Sequence, residues 1–155
     1  MAVINPPTYV QDGSHSAISD RLSLAALTMP SGSALSARGG VRPSLNGTGL
    51  SVVARTTPTA GVTVKAGVVA VPDAFGGIYT CHLTTDFPLT IGPASATQNR
   101  VDLVVARVYD SEAGDSGIGR WTPEVIQGTP SSGAGVPPVL PARCWPLAQV
   151  SVLAS

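Results

Sequence analysis

Gly114-Asp115-Ser116-Gly117 sets a serine between glycines beside an aspartate, the setting of a nucleophilic hydroxyl. Acyl transfer through Ser116 would need a histidine base on the hydroxyl and a buried carboxylate orienting that base. The chain has two histidines, His15 and His82, and neither has the surroundings of a catalytic base. A hairpin turn accounts for the same four residues without chemistry, because Gly, Asp and Ser are the residues turns select. Cys81-His82 puts a thiol next to an imidazole. Neighbours on a strand point to opposite faces, whereas a nucleophile and its base must touch. A metal centre needs three or four converging ligands. Two scattered histidines and two scattered cysteines, Cys81 and Cys144, do not supply them. No glycine loop followed by Lys-Ser/Thr is present to cradle a phosphate. The expectation is a protein that is not an enzyme and takes no cofactor and no metal.

The remaining polar and aromatic residues suit contacts rather than reactions. Nine acidic residues balance nine basic ones, and only 12% of the 155 residues are charged against 43% hydrophobic. Eight of the nine bases are Arg, with Lys65 the single Lys. Nucleic-acid binders carry a basic patch or stripe, and none exists here, so no nucleic-acid partner is expected. Arg favours planar, paired contacts at interfaces. Arg100, Asp102 and Arg107 are therefore the candidates for polar contacts that fix register, with Arg100 and Asp102 on one strand face, where they pair or hold the adjoining loop. Trp121 and Trp145 are the candidate anchors, as buried aromatics dominate protein interfaces. With Tyr9 and Tyr79 they could instead line a sugar-binding groove, but their scatter along the chain fits packing better.

These residues need elements to position them. Residues 1–14, with Pro6-Pro7, read as an extended arm. Ser16–Met29 carries Ile18, Leu22, Ala25, Ala26 and Met29 at helical spacing, with Ser16 or Ser19 as cap and Pro30 as stop. Ser31–Gly49 reads as Gly/Ser/Pro-rich loop with at most short strand pieces. From Leu50 short Val/Thr/Ile runs recur between turn residues. The expected strands are Leu50–Thr56, Val62–Lys65, Val68–Val71, Ile78–Leu83, Leu89–Ile91, Val101–Tyr109, Arg120–Gln127 and Leu147–Leu153. Lys65-Ala66-Gly67 and Pro72–Gly77 read as turns between strands, Ser111–Gly119 as a hairpin loop, and Gln127–Ala142 as an extended Pro-rich segment. Leu103 to Ala106 is apolar on both faces, which predicts a strand buried on both sides. The fold expected is all-β: an antiparallel β-sandwich or jelly-roll-like domain over 50–155, after 1–49 comprising arm, short helix and loop.

So few charges on so apolar a β domain favour a homo-oligomer whose sides are covered by its neighbours over a compact monomer with a Ser/Thr/Gly surface. No 18-residue apolar run is present to cross a membrane. MAVINPP shows no signal-peptide pattern, so assembly in a cytoplasm is expected. There Cys81 and Cys144 would stay reduced, although two distant thiols can also pair.

The order of segments after Leu50 resembles the N-terminal, virion-attaching domain of bacteriophage tail, baseplate and tail-fibre proteins. The pieces are Val64–Val71 (VKAGVVAV), Tyr79 with Leu89-Thr90-Ile91, Arg100–Asp110 (RVDLVVARVYD), Val125–Pro130 (VIQGTP), Pro137–Pro141 (PPVLP) and Pro146–Val152 (PLAQVSV). The resemblance implies a virion structural protein, trimeric in many cases, whose partners are its own copies and other virion proteins, and it makes the cytoplasm of assembly that of a bacterial host. Domains of this kind often continue into a shaft or receptor-binding head. With the sequence reaching only Ser155, the expected role is an adaptor, a tail-tip collar or a small decoration, on a tail or on a capsid head.

Overall fold

The computed structural model describes residues 16–28, 30–33, 35–55, 60–74, 76–115 and 119–155. The expected arm over 1–14, with Tyr9, lies outside the described residues, as do His15, Met29 and Ser116.

The described chain is all-β with one helix, α1 (Ala17–Ala26). Ser16 caps α1 by accepting the Ser19 amide at 3.3 Å, which satisfies one of the helix's free N–H groups. The helix ends short of the expected Met29. Leu27, the C-cap, is 84% exposed. Nine strands follow: β1 (Gly40–Val41), β2 (Val52–Ala54), β3 (Gly61–Val64), β4 (Gly67–Pro72), β5 (Ile78–Leu83), β6 (Phe87–Thr90), β7 (Arg100–Tyr109), β8 (Arg120–Ile126) and β9 (Cys144–Val152).

The strands form three antiparallel sheets of three, ordered β1-β4-β5, β2-β3-β6 and β8-β7-β9. All eight expected strands are present within a few residues, and β1 is a short strand piece of the kind allowed within Ser31–Gly49. The turn Pro72–Gly77 joins the paired strands β4 and β5, and 111–119 joins β7 to β8. Lys65-Ala66 does something else. It carries the chain from β3 in one sheet to β4 in another, so the two strands it joins are not partners. Asp86 holds this crossing, accepting from Lys65 Nζ at 2.7 Å and from the Ala66 amide at 3.1 Å. The divide expected at residue 49 is not a divide in space, since β1 pairs with β4.

Strand β7 is the axis of the fold. Its residues from Arg100 to Ala106 are all buried, as the two-sided apolar pattern predicts. Val104, Ala106 and Val108 join Leu50, Val64, Val69, Val71 and Cys81 in one core cluster. Strands β8 and β9 flank β7 along its length. The register of β9 shifts between Val104 and Val105, where Leu147 is the extra residue of a bulge. Prolines stand in three of the edge strands: Pro88 in β6, Pro123 in β8 and Pro146 in β9.

Candidate functional site

The candidate residues separate into two groups. Arg100 and Asp102 are 3% and 0% exposed, and their partners belong to this chain. Arg100 Nε donates to Asp102 Oδ1 at 2.9 Å. Its two terminal nitrogens donate to the carbonyls of Gly92 and Pro93. Asp102 Oδ1 also accepts the Gly128 amide at 3.0 Å. Gly128 lies so close to the Val101 carbonyl that no Cβ would fit. The pair thus ties the loop before β7 and the loop after β8 to one strand end, which is the loop-holding role allowed by their shared face. Direct contact with a partner gives way to this, because both side chains are enclosed.

Arg107, Trp121 and Trp145 remain half-exposed. Arg107 Nη1 is 3.1 Å from Glu124 Oε1, and Tyr109 Oη donates to Glu124 Oε2 at 2.7 Å. That bond raises the Tyr109 phenol pKa. The guanidiniums of Arg107 and Arg120 stand 4.5 and 4.8 Å from the centre of the Tyr109 ring, within cation–π range. Trp145 packs toward the core over Gly39; a Cβ at Gly39 would fall 2.5 Å from its ring.

A second charged cluster has no signal in the sequence, because its members are 5 to 122 residues apart. It joins α1 to three turns. Arg21 Nη1 pairs with Asp110 Oδ2 at 3.1 Å, and its guanidinium lies 4.7 Å from the Tyr79 ring centre. Tyr79 Oη donates to Asp110 Oδ2 at 2.5 Å. Burial together with this bond raises the Tyr79 pKa, while the same bond lowers that of Asp110. Arg143 makes two bonds to Asp115, at 2.8 and 2.9 Å, which lowers the Asp115 pKa. Arg143 reaches Asp115 from a backbone φ of 54°, a conformation that a non-glycine residue adopts only under constraint. Asp73, its side chain 1% exposed, stands 3.9 Å from Arg21 on one side and from Arg143 on the other.

Between α1 and strands β5, β7 and β8 runs a groove of about 450 Å³. Leu24, Ile78, Val108 and Trp121 give it apolar walls, and Asp20, Tyr79, Tyr109 and Arg120 add polar groups. It has the size of a small-molecule or peptide site. Cys81 is buried in the core and its thiol is pushed up to about 12 by burial. His82 faces outward on the opposite side of β5 and is exposed. Both cysteines are free thiols. Among the described residues no group of three or more His, Cys, Asp or Glu is placed to hold a metal ion. No described helix is long and apolar enough to cross a membrane. Compared with family models, curated proteins and solved structures, the chain matches none.

Proposed function

We propose that the chain is a structural component of a bacteriophage virion, a tail or baseplate protein that oligomerises, as a trimer, and docks onto neighbouring virion proteins. The order of segments from Val64 to Val152 supports the class. One structural observation carries the mechanism. The Pro-rich segment between β8 and β9 holds Val136, Val139 and Leu140 at 68, 91 and 39% exposure within five residues. Prolines 137, 138 and 141 restrict that segment before any partner arrives, so covering it costs little ordering entropy. Contiguous apolar exposure of this kind marks a contact surface. We take the three sheets to close as a sandwich or jelly roll within that assembly.

Native mass spectrometry of the purified chain at micromolar concentration tests the reading. A trimer is expected, and Val139→Asp with Leu140→Asp should shift it to monomer with the melting temperature unchanged. A wild-type monomer would overturn the proposal. A label at Ser155 imaged on intact particles separates a tail from a capsid-decoration or head-fibre position. A carbohydrate-binding role at the host surface draws on a different observation: Tyr79, Tyr109 and Trp121 share one groove with Asp20 and Asp110. Quenching of tryptophan fluorescence by host-envelope glycan, lost in Trp121→Leu, would favour it.

A further inference from the structure

Beneath α1 lies a cavity of about 270 Å³, lined by Ile18 and Arg21 of the helix, Asp73 of the β4–β5 turn, and Glu112 and Ala113 of the turn after β7. Two of these lining side chains each carry a buried polar atom with no hydrogen-bond partner among the described residues, Asp73 Oδ1 and Arg21 Nε. The Asp73 side chain is 1% exposed. Its neighbouring cations do not relieve it. Arg143 Nη1 is 3.9 Å from Oδ1 and Arg21 Nη2 is 3.9 Å from Oδ2, both beyond hydrogen-bond length.

The two orphans are of opposite kind. A carboxylate oxygen only accepts and a guanidinium N–H only donates. A cation would satisfy Asp73 but face the Arg21 charge. An anion would do the reverse. A neutral O–H group satisfies both. We propose that this cavity is a hydroxyl-binding site, in which one O–H donates to Asp73 Oδ1 while its oxygen accepts from Arg21 Nε. Two sources share that chemistry: an ordered water, and a hydroxyl of a polyol or sugar. The volume is several times the ~30 Å³ of a liquid water, so a larger hydroxylated molecule has room. Ile18 and Ala113 would then meet its carbon skeleton, and Glu112 would offer a second acceptor. The site is independent of the virion reading, since it needs neither partner nor assembly.

The Arg21 Nε–Hε resonance reports on it directly, assigned through its loss in Arg21→Lys. A cross-peak from Hε to a long-lived water is expected in buffer. Titration with glycerol and with glucose then separates the sources. A saturable Hε shift that replaces the water cross-peak assigns a polyol; an unchanged cross-peak assigns water. Ala113→Leu, which fills the cavity, should abolish both signals while circular dichroism and melting stay near wild type. A wild-type Hε with neither a water cross-peak nor a saturable shift would overturn the proposal. So would signals that persist in Ala113→Leu.

Discussion

Charged residues in this chain are few, and where they sit decides what each is worth. Asp102 is wholly buried and fully matched, by Arg100 and by the Gly128 amide. Removing one partner of such a pair strands the other charge in a low-dielectric interior. Asp102→Ala should therefore lose about 3–5 kcal/mol in urea unfolding. Lys65 and Asp86 are 40 and 47% exposed, so Lys65→Ala should lose no more than about 1 kcal/mol. Equal losses in the two variants would contradict the burial argument. The thiols follow the same logic. Burial pushes Cys81 up to about 12 and Cys144 up to about 11, leaving little thiolate to react at pH 8. A thiol reagent should label the folded chain slowly, at Cys144 first because it is half-exposed, and label both residues at once in urea.

At the scale of elements, α1 is held by charge more than by an apolar stripe. Within it only Ser19 is buried, while Arg21 binds it to Asp110 and the Tyr79 ring. Asp110 and Asp115 have pKa values below the ordinary carboxylate value when folded. Groups depressed in this way add stability above the unfolded value, near pH 3.9. That stability is lost as pH falls through the folded values. Melting temperature should therefore hold above about pH 4 and fall below it, with the amides of α1 first to lose hydrogen-exchange protection. An acid limb starting from other elements would disprove this. Much of the element layout was legible in the sequence, because Val/Thr/Ile runs between turn residues specify strands locally. Pairing was less so. Lys65-Ala66-Gly67 has the composition of a hairpin turn, yet it joins two sheets, since partner choice depends on β1, β2 and β6 far along the chain. Arg100 with Asp102 could be read because two residues on one strand share a face. Arg21, Asp73, Asp110, Asp115 and Arg143 could not, because only the completed fold brings them together. The groove behind α1 was hidden for the same reason.

For the whole molecule, apolar surface is spread over distinct places: Leu24 on α1 and Leu27 just after it, Val53 and Phe87 on β2 and β6, and Val136, Val139 and Leu140 on the Pro-rich segment. Such an arrangement suits a subunit touching more than one neighbour, consistent with assembly into a particle. The prolines of β6, β8 and β9 have a bearing on how such assembly stops. A strand that joins a sheet edge from outside needs amide hydrogens to grip, and proline has none to give. Under the proposed assembly, Pro88, Pro123 and Pro146 would act as end-stops on three of the six edge strands among the described residues, leaving copies to meet through side chains. Replacing Pro123 and Pro146 with valine should remove those stops. The purified chain would then thicken into thioflavin-binding fibrils on standing, whereas the wild type stays clear.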